Sequence, residues 1–142
     1  MQPQSILHFW FTELTPKDHF AKDAALDEAI RSRFAATLKV AARCELFAWR
    51  ATPEGRLAEV LVLDQFSRNV YRDTPQAFAQ DALALALAQE LVAREQDRGL
   101  PLAQSSFAYV PYMHSGSALA HAQAMVLFDQ PGMEDTLRFE LR

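Results

Sequence analysis

The run Leu63-Asp64-Gln65-Phe66-Ser67-Arg68-Asn69-Val70-Tyr71-Arg72 is the most informative segment for chemistry. It follows the apolar Val60-Leu61-Val62-Leu63, so its polar groups begin where a core helix ends. Asp64 and Arg68 stand four apart and can pair on one helical face; Arg68 and Arg72 share a side if the helix continues. A guanidinium suits carboxylate or phosphate, because its planar donors match two oxygens at once. The segment therefore reads as a clamp for an anion or polar ligand built from Arg68, Asn69 and Arg72. The plainer alternative, preferred on these residues alone, is a helix C-terminus whose free carbonyls attract cations, with Asp64–Arg68 as an internal brace.

A second segment, Phe107-Ala108-Tyr109-Val110-Pro111-Tyr112-Met113-His114-Ser115-Gly116-Ser117, crowds aromatic residues into what reads as a loop leading to a helix start. A serine there satisfies an orphan N–H, and helix N-termini bind anions through the same groups. His114, beside that positive end, could serve as acid, base or hydrogen-bond donor. The plainer reading is a capped helix with a loop histidine stacked among aromatics.

Other chemistry falls away. His114 and His121 are seven apart, ~10.5 Å along a helix, too far to share one metal ion. His8 and His19 offer no ligand spacing, so no metal site is expected. Ser115-Gly116-Ser117 lacks the Gly-x-Ser-x-Gly elbow that exposes a hydrolase nucleophile. Cys44, among Ala41, Ala42, Leu46 and Phe47, reads as a packed small residue. The glycines (Gly55, Gly99, Gly116 and Gly132) stand too far apart for a phosphate cradle or dinucleotide fingerprint, and no cofactor is expected.

The elements that must position these residues are helices punctuated by proline and glycine. A short one is expected at about 4–11, then a break at Thr15-Pro16. A long one follows at about 23–43, where Leu26, Ile30, Phe34 and Leu38 recur every four residues and make an apolar stripe. Residues 44–49 read as a turn or short helix, and 53–68 as the next helix. Val60–Leu63 could pass for a buried strand, but its flanks favour helix and no second strand exists to pair with it. Thr74-Pro75 looks like an N-cap and first turn for a helix reaching about Gln96. Residues 105–109 suggest one helical turn before Pro111, 117–128 a helix, and 133–142 a last one. Phe20-Ala21-Lys22-Asp23-Ala24 echoes Phe78-Ala79-Gln80-Asp81-Ala82, as a repeat of helical hairpins would. The fold class expected is all-α: antiparallel helical hairpins in one domain over residues 1–142.

Composition bounds the function. The net charge of −4, from 18 acidic and 14 basic residues, argues against a nucleic-acid binder without excluding a local cationic pocket. A single cysteine permits no intrachain disulfide and suits the cytosol. Residues 1–5 lack the positive region of a signal peptide, and apolar stretches break well before the ~18 residues a membrane span needs. A cytoplasmic protein without membrane partners is expected.

At these segments the chain resembles the bacterial domain-of-unknown-function family 924. The resemblance rests on Ile6-Leu7-His8-Phe9-Trp10-Phe11, on Leu57-Ala58 followed by Leu63-Asp64-Gln65-Phe66-Ser67-Arg68-Asn69, on Tyr71 through Asp81, and on Phe107 through Ser117. It implies an all-helical fold similar to tetratricopeptide repeats, in a right-handed stack, and carries no established reaction. Ser67 stands where the family usually has proline, and Gly116 where it usually has glutamate. Members typically continue with a further helix and a second Arg-Asn block, so a C-terminally truncated copy is an expectation too. Three functions follow. The first is a binding module in which Trp10, Asp64, Arg68, Asn69, Arg72, Asp81, His114 and Ser115 converge on a polar pocket for a small anionic ligand. The second is a scaffold holding a partner peptide. The third is a hydrolase or transferase using His114 as acid–base and Arg68 as oxyanion clamp.

Overall fold

Prolines and short polar side chains fix where the helices begin. The computed structural model describes residues 1–141, and all regular structure among them is helical. α1 (Pro3–His8) opens on proline and runs on as a π-helical turn over Phe9–Glu13. α2 (Pro16–His19) is closed by a capping box of Thr15 and Asp18. α3 (Ala24–Ala42) starts where the Asp23 side chain accepts from the N–H groups of Ala25 and Leu26. Its inward face carries Ile30, Phe34, Leu38 and Ala41, the stripe the spacing predicted, and Asp27 shares that face. Leu26 is only partly buried.

α4 (Pro53–Leu61) is capped by Thr52, whose hydroxyl oxygen accepts from Gly55 N–H at 3.0 Å. The chain then passes through a π-helical turn, Val62–Phe66, into α5 (Ser67–Val70). Val60–Leu63 is helical and wholly buried. α4 is central, packing against α1 and against two later helices, α6 (Asp81–Ala93) and α7 (Leu102–Met113). At the middle of the core the Phe34 ring lies 4.9 Å from Phe66 and 5.0 Å from Phe9.

The single helix expected from Pro75 to Gln96 is divided. A 3-10 turn at Pro75–Phe78 precedes α6, and another at Gln96–Gly99 follows it. The Thr74 hydroxyl donates back to the Tyr71 carbonyl instead of capping the next helix.

α7 is the largest correction. The segment expected to be an aromatic loop is the interior half of a helix that runs straight through Pro111. Pro111 removes one backbone donor and crowds the carbonyl four residues back, costing ~3 kcal/mol. Every residue from Ser105 to Met113 is buried, and each large apolar side chain among them returns about 1.5–3 kcal/mol. Burial outweighs the proline. α8 (Ala118–Leu127) starts at Ser117, whose hydroxyl accepts from Ala120 N–H at 3.2 Å, as expected of that serine. α9 (Glu134–Glu140) ends the described chain; Arg142, the last residue of the helix expected there, lies outside the described residues. No described helix is long and apolar enough to cross a membrane.

The sequence echo does not translate into equivalent work. Asp23 caps α3, whereas Asp81 pairs with an arginine of α5.

Candidate functional site

The π turn at Val62–Phe66 sets the geometry. Such a turn widens one helical repeat and rotates the residues after it, a device common at functional sites. Here it sets Asp64 into the interior, 1% exposed, while Gln65 faces a cleft. Gln65 Nε2 donates to Asp64 Oδ2 at 2.8 Å. One helical turn later, Arg68 Nη1 reaches both the backbone carbonyl of Asp64 (2.8 Å) and its Oδ1 (3.2 Å). The same guanidinium grips Asp81 with both arms, Nη1 to Oδ1 at 2.8 Å and Nη2 to Oδ2 at 2.9 Å.

His114 closes this network from the far side. It is the C-cap of α7, not a neighbour of a helix N-terminus, so the adjacent carbonyl dipoles favour a cation on its ring. Nδ1 donates to Asp64 Oδ1 at 2.8 Å, and Nε2 donates to Glu140 Oε2 at 2.9 Å. Burial pushes the imidazole pKa down, but the charge and hydrogen bond of Asp64 and the bond to Glu140 outweigh it and raise the pKa to about 9. Burial likewise pushes Asp64 up, and the imidazolium, Arg68 and Gln65 together hold it below the usual carboxylate range. With both N–H groups engaged, His114 is a fixed cationic donor at neutral pH. It becomes available for proton transfer only when one carboxylate lets go.

A second cluster adjoins the first. Asp27, on the inward face of α3, accepts from Asn69 Nδ2 at 2.9 Å and from Arg72 Nε and Nη2 at 2.6 and 3.0 Å. Burial raises the Asp27 pKa, and the bonds from Arg72 and Asn69 override it to leave a net lowering.

Both clusters open on one cleft of about 380 Å³ whose wall includes Lys22, Gln65, Arg68, Asn69, Arg72 and His114. The balancing acids Asp64, Asp81 and Asp27 do not line it; Glu140 is the one carboxylate that does. His19 also faces the cleft. Its ring stacks on Trp10 with centroids 4.4 Å apart and donates from Nε2 to the Trp10 carbonyl at 2.6 Å. Burial holds that imidazole below its ordinary pKa, against the pull of the bond to Trp10.

The profile of a family described as bacterial protein of unknown function (DUF924) matches residues 6–139. The chain belongs to this family. Among solved structures, this DUF924 chain is similar to a protein of unknown function from Agrobacterium tumefaciens, at 33% identity and a TM-score of 0.89. That likeness covers 97% of this chain and 80% of the other. No curated protein matches.

Of the residues expected at a shared site in this DUF924 protein, the structure brings Asp64, Arg68, Asp81 and His114 into one hydrogen-bonded network, with Asn69 and Arg72 on the same cleft. Trp10 lies in the aromatic core and reaches the cleft only through His19. Ser115 turns away: its hydroxyl accepts from Ser117 N–H, and its carbonyl accepts from His121. Sequence spacing missed Asp27, Gln65, His19, Lys22 and Glu140, which adjoin the site only through tertiary packing. It also missed that ligand-type atoms of Asp64, Asp81 and His114 lie within 4.8 Å of one another. Between the two aspartates the positive charge is supplied by Arg68 Nη1, which bonds to both.

Proposed function

We propose that this chain is a binding module for a small anionic or carboxylate-bearing ligand, taken up in the cleft between Arg68, Arg72 and His114. One observation carries the reading: the cations stand on the cleft wall, and the aspartates that neutralise them stand behind it. A brace needs only the pairs. Placing the donors toward a cavity with Asn69 and Gln65 beside them suits recognition of oxygen-rich ligands. The lone cysteine suits a reducing, cytoplasmic setting.

The test is an NMR titration with inorganic phosphate and short carboxylic acids, following the side-chain signals of His114, Arg68 and Arg72. Saturable shifts at those groups, lost in His114→Gln, are expected. If no anion perturbs them in the wild type or in Glu140→Ala, the reading is removed.

A second reading, a tetratricopeptide-like stack that holds a partner peptide, is favoured by α8. Leu119 and Val126, seven apart and so on one face, are 71% and 75% exposed. That face lies away from the cleft-lining residues, so mutations there leave the anion titration unchanged.

A further inference from the structure

We propose that Glu140 is a built-in stand-in for the ligand's carboxylate, and that the cleft takes monocarboxylic acids bearing an aromatic ring. This rests on the anion-binding reading above and gives it a ligand class. The carboxylate of Glu140 accepts from Nε2 of His114 at 2.9 Å, while the ring of its neighbour Phe139 lies 4.6 Å from that of Phe20. Both α9 residues line the cleft. A carboxylate and a ring, side by side, therefore already occupy the place where a ligand would sit. The remaining wall repeats the same pairing: Phe20 is the aromatic shelf, and His114 with Arg68 the polar end.

The element that delivers the stand-in is held loosely. A seven-residue helix is marginal by itself, and no residue of α9 is buried. Its other side borders an open groove of about 620 Å³ lined by Phe128, Pro131 and Leu137. Space lies on both sides, so α9 can withdraw without breaking the core. An entering acid then replaces Glu140 on Nε2 of His114 and replaces Phe139 on Phe20. No covalent step is involved; one charge-assisted hydrogen bond is exchanged for another. A tethered competitor lowers the apparent affinity of a free ligand by the fraction of time it holds the site.

The experiment measures binding of 3-phenylpropionate, acetate, inorganic phosphate and 3-phenylpropanol to the wild type, Glu140→Ala and Glu140→Gln by calorimetry. The amide spectra of α7 serve as a check on the fold; the isosteric Gln variant guards against a local collapse. Removing the stand-in is expected to tighten 3-phenylpropionate by about tenfold or more, with acetate and phosphate weaker and the alcohol silent. Equal affinity of 3-phenylpropionate for the wild type and both variants overturns the stand-in while leaving anion binding intact. Phosphate outcompeting 3-phenylpropionate in Glu140→Ala overturns the ligand class. Failure of every anion to bind any of the three proteins overturns the underlying reading.

Discussion

His114 and Arg68 meet on a single oxygen, Oδ1 of Asp64, at 2.8 and 3.2 Å. Two cations sharing one buried acceptor repel each other, and the arrangement holds only because Asp64 is charged and Asp81 and Glu140 engage their outer sides. The charge state of Asp64 therefore governs both cations.

Replacing Asp64 with Asn tests that dependence. Burial alone drives the His114 pKa down, and Asp64 is the strongest influence opposing it. In Asp64→Asn the imidazole is expected to titrate below the ordinary histidine range, neutral at pH 7. Ring ¹⁵N shifts across a pH series read this directly. An imidazolium persisting at pH 8 contradicts the assignment.

Stability should respond to pH through the same histidine. Its folded pKa of about 9 lies above the ordinary 6.5, so its contribution is full below pH 6.5 and lost as pH rises toward 9. The loss is on the order of 3 kcal/mol. Asp64 acts oppositely: its pKa is held down, so its contribution is present above the ordinary carboxylate pKa and lost on acidification. Urea melts between pH 6 and 9.5 should show a falling midpoint in the wild type and a flatter one in His114→Gln. Parallel slopes for the two proteins would count against the pair.

Arg68→Ala is expected to destabilise by about 3–5 kcal/mol, the cost of leaving a buried partner charge uncompensated. Asp81→Ala should cost less, since Arg68 then keeps Asp64 and gains water at its partly open edge. Equilibrium denaturation orders the two; a reversed order would place the weight of the network on Asp81.

Gly55→Ala should destabilise although alanine is the better helix former by ~1 kcal/mol. A β-carbon at Gly55 would meet the Trp49 carbonyl oxygen at 1.9 Å, a backbone atom that cannot swing aside. A net loss of about 1–3 kcal/mol is expected, with a lower thermal midpoint as the readout. An unchanged midpoint would mean that the 3-10 turn at Phe47–Ala51 moves freely.

Periodicity made the helices legible wherever one face is greasy and the other wet. The α3 stripe and the caps at Asp23, Thr52 and Ser117 needed nothing beyond the order of residues. The second half of α7 was illegible because proline is a local signal of interruption and burial is not local. The same divide runs through the site. Asp64–Arg68 is a pair four apart and could be read directly. Asp27, His19 and Glu140 come from remote helices, and nothing in their neighbours marks them. Asp64, Arg68, Asn69 and Arg72 were visible as a cluster, but which of them face water depends on the π turn.

That π turn makes the cleft removable without unfolding the protein. Losing one codon between Val62 and Phe66 would restore a regular helix, turning everything after it by about 100°. The aspartate, its arginine and the amide beside them would then point elsewhere, in a chain whose hydrophobic centre is nearly unchanged. Recognition here depends on a single residue of surplus length, one that mutation can erase far more cheaply than it can erase the fold.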